Sequence, residues 1–183
     1  MYATGTAGDY AYGQRFWRDE YRMNALIAEY PKPVVSFLQG FTMGGGVGVG
    51  CHGSHRVVGD SSRIAMPECG IGLIPDVGGS YLLAQAPGHL GEYLGMTTDR
   101  MGPGDAIHVG FADLYVPEDK WDGLKANLCA EGDLAVLTTA ARPAPDARLK
   151  EAQSQIDALF GGGSLGEIVK TLRADNGSFA QDA

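Results

Sequence analysis

Apolar side chains recur at helical spacing early in the chain, at Phe16, Tyr21, Met23, Leu26, Ile27 and Tyr30, which predicts a helix with one apolar face. Pro31 and Pro33 end it. Residues 2–14, rich in Gly, Thr and Tyr, read as a loop. The β-branched run that holds Val34, Val35, Phe37 and Leu38 predicts a short buried strand, and residues 40–43 lead from it into a cluster of glycines. Residues 56–58 and 63–66 read as two further strands around the turn signal Gly59-Asp60-Ser61-Ser62. Short strands thus alternate with small helices.

From Val77 the pattern turns helical through Tyr81, Leu82 and Leu83, breaks at Pro87-Gly88, resumes over 90–94 and breaks again at Gly102-Pro103-Gly104. Ala106, Ile107 and Val109 predict one more short helix, and Leu114, Tyr115 and Val116 a strand. Pro117-Glu118-Asp119 then supplies a helix start with acidic residues at the positive end of the dipole, its apolar side being Trp121, Leu124 and Leu128. Beyond Ala140 the run Arg142-Pro143-Ala144-Pro145 reads as a linker. Two amphipathic stretches follow, around 156–160 and 168–172, parted by three glycines, and read as a peripheral helical region.

Composition narrows the function classes. With 183 residues and 44% hydrophobic content the chain is long enough for one substantial core. A formal charge of −8 is the wrong sign for gripping a phosphate backbone, so nucleic acid is not an expected partner. A polyanionic ligand would need a local basic patch, for which Arg15, Arg18, Arg22, Lys32, His55 and Arg56 are the candidates. Three unpaired cysteines, Cys51, Cys69 and Cys129, argue for a reducing compartment, by default the cytoplasm. No run approaches the length of a membrane span and no targeting signal is visible. Cys51, His52 and His55 lie close in sequence but lack a second ligand pair, so no metal is expected.

Glycine is over-represented: 28 in all, seven of them from Gly40 to Gly53. Gly44, Gly45, Gly46, Gly48 and Gly50 make a poor helix by propensity, each losing about 1 kcal/mol relative to Ala. Either dense packing needs them, or bare N–H groups at a helix start face a ligand oxygen. Residues 48–53 also fit the G-x-G-x-x-G fingerprint with Glu68 about 20 residues on. However, the 14 residues between Gly53 and Glu68 contain a turn and leave no room for the long helix that motif requires. Met66-Pro67-Glu68 and Ile74-Pro75-Asp76 each place an acid directly after a proline, which stiffens the backbone before it. Two such acids beside glycine amides are what acyl transfer to water requires. The plain alternatives are a surface carboxylate at Glu68 and a helix cap at Asp76.

Lys32-Pro33-Val34-Val35, Gly40-Phe41-Thr42-Met43-Gly44-Gly45-Gly46, Met66-Pro67-Glu68 and Gly72-Leu73-Ile74-Pro75-Asp76-Val77-Gly78-Gly79 together resemble the crotonase superfamily in order and spacing, over roughly residues 15–120. Enoyl-CoA hydratases of that superfamily carry a glutamate where this chain has Gly48. The 3-hydroxyisobutyryl-CoA hydrolases are similar to it in the Met43 to Gly48 segment, in Arg18-Asp19-Glu20-Tyr21 and in Asp76 after Pro75. The resemblance implies an α/β spiral of β-β-α turns with a helical C-terminal region, as trimers or hexamers. It divides the chain into a partial core, 1–130, and an incomplete helical region, 131–183. It implies that the N–H of Gly45 donates to the thioester oxygen, that Glu68 and Asp76 are the reacting carboxylates, and that Glu20 contacts the substrate. No prosthetic group is implied, since CoA is part of the substrate, and the reaction is hydrolysis of a short-chain 3-hydroxyacyl-CoA of the kind met in valine breakdown. Hydration or isomerisation, or a non-catalytic fragment, are the alternatives. Relatives carry a first strand and a Cys-Ala-Gly-Gly-Asp type loop ahead of the position of Tyr2, so the chain is expected to be an internal piece.

Overall fold

A computed structural model describes residues 1–182. Its centre is a stack of two β-β-α turns. In the first, β1 (Val35–Leu38) and β2 (Phe41–Met43) lead into the helix α3 (Gly45–Gly50); in the second, β3 (His55–Val58) and β4 (Arg63–Ala65) lead into a 3-10 turn, Glu68–Ile71. The first strands of the two turns pair in parallel, Val35 opposite His55, and so do the second strands, Phe41 opposite Arg63. A short β5 (Leu114–Tyr115) adds to β3, giving the order β1-β3-β5 in one sheet and β2-β4 in the other. The corners stack as well. Ser62, fully buried, donates its hydroxyl to the carbonyl of Leu38 (2.5 Å) and accepts from the N–H of Gly59. A buried hydroxyl satisfied on both sides fixes how one turn sits on the next.

Helices close this stack: α1 (Tyr2–Thr6) and α2 (Ala11–Ala28) precede the strands, α4 (Gly79–Ala84), α5 (Leu90–Thr97) and α6 (Pro103–Val109) lie between β4 and β5, and α7 (Trp121–Glu131), α8 (Ala135–Ala140), α9 (Arg148–Phe160), α10 (Leu165–Ala174) and α11 (Ser178–Asp182) follow β5. Their ends follow the sequence signals, with Pro103 opening α6, Gly110 and Gly132 in left-handed conformation closing α6 and α7, and Ser164 capping the N–H of Glu167 in α10. The main core joins Val47, Ile64, Met66, Leu94, Phe111 and Phe160, and a smaller one gathers Val57, Val116, Trp121, Leu124 and Leu137. Although the linker before it reads as a boundary, α9 packs Leu149, Ile156 and Phe160 into the main core. It is tied down by Arg148, which bridges Asp99 (2.8 Å) and Asp105 (3.3 Å), while Asp105 also accepts from the N–H of Leu149 (2.9 Å).

Besides α9, which packs into the core where a peripheral region was expected, the structure differs from the sequence reading in three places. Residues 2–14 are not a loop: Thr4 and Thr6 bond back to carbonyls of the first turn, and Asp9 accepts from the N–H of Ala11 to start α2, local bonds that outweigh the composition. Residues 41–43 form a strand, because β4 offers a parallel partner that no local pattern reveals. The helix α2 exists as expected, but its apolar side chains do not point into the core. Phe16, Tyr21, Met23 and Leu26 remain exposed, and Asn24 alone among its residues is buried.

Candidate active site

Two roles for the glycines of α3 separate along the helix. Gly44, at φ 51° and ψ −120°, holds a backbone that only glycine adopts readily. It directs the chain so that Gly45 and Gly46 open α3, where their N–H groups have no carbonyl one turn back and no side chain caps them. Both residues are exposed. Deeper in the helix the reason is contact: a Cβ on Gly48 would stand 2.8 Å from the Cβ of Val77, and one on Gly50 would stand 2.6 Å from a methyl of Leu38. Access governs the first turn and packing the second, and close packing is why a glycine-rich segment is helical against its propensity.

The carboxylates arrive from three other elements. Glu68 opens the 3-10 turn after β4 and is only 5% exposed. Its Oε1 lies 3.2 Å from the point where a Cβ of Gly44 would stand, and its Oε2 is fully buried without a partner. Burial raises its pKa, with a further push from Asp76, against a lowering bond from its own backbone N–H. Glu20 reaches over from α2, with Oε1 3.4 Å from the corresponding point at Gly45. Burial and the charge of Asp76 raise its pKa too. Asp76, half-buried, sits on the loop before α4; its carbonyl accepts from the N–H of Gly79 (2.6 Å), and no side chain caps α4, so its carboxylate is not a helix cap.

Glu68 and Glu20 therefore lie beside Gly44 and Gly45 at the start of α3, and Asp76 is near enough for its charge to raise the pKa of both acids, but the acids do not share one cavity. Asp76 lines a cleft of about 760 Å³ with Tyr21, Asn24, His52 and Tyr81, whereas Glu20 lines a groove of about 520 Å³ along α2 with Tyr12, Arg15 and Phe16. The arginines on either side of Glu20 pair instead with Asp19, Arg18 at 3.7 Å and Arg22 at 3.9 Å. The basic patch is thinner than expected. Arg56 is held by Asp113 at 2.6 Å and 2.9 Å and by the carbonyl of Gly110, and His55 bonds Ser54. Cys51 is buried and His52 faces the carbonyl of Val77 (2.8 Å), so the Cys-His-x-x-His cluster is dispersed. Among the described residues no group of three His, Cys, Asp or Glu is placed to hold a metal ion.

One residue of this region escapes a motif-based reading. Asn24 is 5% exposed, donates Nδ2 to the carbonyl of Val77 (3.2 Å) and leaves Oδ1 buried without a partner. Its signal was present as a lone amide within an apolar helical face, one turn beyond Glu20.

Known proteins show the family and the fold of the chain. The family model for enoyl-CoA hydratase/isomerase matches residues 1–183. A crystal structure of an enoyl-CoA hydratase from Rhodobacter sphaeroides 2.4.1 superposes with a TM-score of 0.93 at 56% identity, covering 100% of this chain and 52% of that one. A carnitinyl-CoA dehydratase from Mycobacterium thermoresistibile gives 0.89 at 49% identity, covering 94% and 51%. Among curated proteins, the mitochondrial 3-hydroxyisobutyryl-CoA hydrolase of Xenopus tropicalis is 40% identical over 188 residues, covering 96% of this chain and 48% of that protein. The human protein of the same name is 36% identical over 176 residues, covering 90% and 46%. The chain spans about half the length of the curated relatives it matches. Stacked β-β-α turns, the glycine-led helix and these matches place the chain in the enoyl-CoA hydratase/isomerase family, with the crotonase α/β fold.

Proposed function

We propose that the protein hydrolyses the thioester of a short-chain 3-hydroxyacyl-CoA, 3-hydroxyisobutyryl-CoA being the model substrate. The observation that carries this reading is Glu68: a buried carboxylate with one unpartnered oxygen, set against the open amides that begin α3. In this mechanism the thioester oxygen accepts from the N–H of Gly45, whose donor strengthens as negative charge builds on that oxygen. Glu68 attacks the carbonyl carbon or takes a proton from the water that does. Asp76 orients the water and the substrate hydroxyl, and Glu20 contacts the substrate. The carbon–sulfur bond breaks, CoA leaves as the thiol, and water supplies the acid's oxygen. CoA belongs to the substrate, and no prosthetic group enters.

Hydration or isomerisation is the second reading, favoured by the names of the two solved relatives. Against it stands Gly48, which brings no carboxylate and has Val77 and Asn24 where a side chain would go. A third reading is a segment without catalysis of its own. Free-thiol release from 3-hydroxyisobutyryl-CoA separates the three, with crotonyl-CoA as competitor. Glu68→Ala is expected to lower hydrolysis by about 10²- to 10⁴-fold; faster turnover of crotonyl-CoA would favour the second reading.

No described helix is long and apolar enough to cross a membrane. The three free cysteines support the cytoplasm as the proposed location, although several relatives are named as mitochondrial; cell fractionation decides between them. A trimer or hexamer is the proposed assembly, to be tested by sizing in solution.

A further inference from the structure

We propose that Asn24 and His52 are positioning residues: both donate to the carbonyl of Val77 and so fix the direction in which Asp76 presents its carboxylate. Val77 has φ 49°, a left-handed conformation that is a genuine outlier for a β-branched residue. Such a residue persists only where its surroundings over-determine it. Here the side chain is fully buried in the main core, and two donors from distant parts of the chain meet on its carbonyl: Nδ2 of Asn24 at 3.2 Å and Nε2 of His52 at 2.8 Å.

The next residue repeats the constraint. Gly78 has φ 78°, and the ring of His52 occupies the space of a side chain there, with Nε2 2.7 Å from the Cβ position. Two successive left-handed residues therefore follow Asp76, and the N–H of Gly79 closes the turn onto the Asp76 carbonyl at 2.6 Å. Gly48 is the other half of the device. Without a side chain it lets Asn24 approach, the amide standing 2.9 Å from where a Cβ would be. Asn24 is the buried residue of a helix whose aromatic side chains are exposed, so an anchoring role for α2 alone is the competing explanation.

The part played by Asp76 rests on the thioester-hydrolase reading, and the clamp itself is judged without turnover. Side-chain ¹⁵N NMR of the unmodified chain is expected to show a proton on Nε2 of His52; an Nε2 without a proton overturns the clamp. His52→Phe, which keeps a ring and loses the donor, is expected to speed hydrogen exchange at the Gly79 N–H roughly tenfold, the size of one lost buried hydrogen bond, with the melting temperature lowered by only about 2–4 °C. His52→Gln, which keeps a donor, restores protection. Equal exchange in both variants and the wild type counts against the proposal. In turnover, Asn24→Ala and His52→Phe are each expected to lower kcat by about a hundredfold with KM little moved, and to add nothing to Asp76→Asn. A full additional loss in the Asp76→Asn background shows that they act elsewhere. If the wild type releases no thiol, the hydrolase reading fails, and the NMR and exchange results alone decide the clamp.

Discussion

Glu68 is where the site opposes the fold. A carboxyl shut from water with one oxygen unpartnered penalises its charged form, so the folded state holds its proton to higher pH than the unfolded chain does. The folded protein binds more protons in that window, and stability falls as pH rises from the ordinary glutamate value through the raised one. Glu68→Gln is therefore expected to melt higher than the wild type at neutral pH and to lose that part of the pH dependence, read by thermal unfolding across the acid range. Identical curves would mean that burial does not penalise the charge. Cys51 gives a second check at this scale. Burial pushes its thiol up to about 12, and only the thiolate reacts readily, whereas Cys69 and Cys129 are exposed. Iodoacetamide at mildly alkaline pH is expected to label two cysteines in the native protein and the third only after unfolding. Gly45 and Glu20 were singled out through the family resemblance; Glu68 and Asp76 were legible as candidates because each directly follows a proline. Asn24 and the strained Val77 were not, since their importance comes from a meeting of residues 53 positions apart.

At the scale of elements, local signals located most boundaries and missed what pairing creates. The proline-bounded end of α2, β1, β3, β4 and the start of α7 followed from periodicity and turn residues. The three-residue β2 exists because β4 lies beside it, and in α3 Gly48 and Gly50 are needed because a side chain there would collide with Val77 or Leu38. The C-terminal helices read as peripheral, yet α9 fills the main core. Phe160, 1% exposed and edge-on to Tyr93 at 5.2 Å, is the residue to test. Phe160→Ala is expected to destabilise the protein by about 3–5 kcal/mol in denaturant unfolding. A loss below about 1 kcal/mol would show that α9 is dispensable to the core.

For the molecule as a whole, the fold sets Glu68, from the 3-10 turn after β4, and Glu20, from α2, against the first glycines of α3, which is where the proposed site lies. The exposed aromatic face along α2, with Tyr12, Phe16, Trp17 and Tyr21, was not readable from periodicity, which finds an apolar stripe without saying what covers it. The chain spans about half the length of the curated relatives it matches and carries the acids and the glycine amides of the proposed site. The most direct test is free-thiol release from 3-hydroxyisobutyryl-CoA by this chain, alone and joined to the rest of a full-length relative, each with a Glu68→Ala counterpart. The account expects Glu68-dependent release of CoA that exceeds any hydration of crotonyl-CoA. Release unchanged by Glu68→Ala, or none at all from either form, would contradict it.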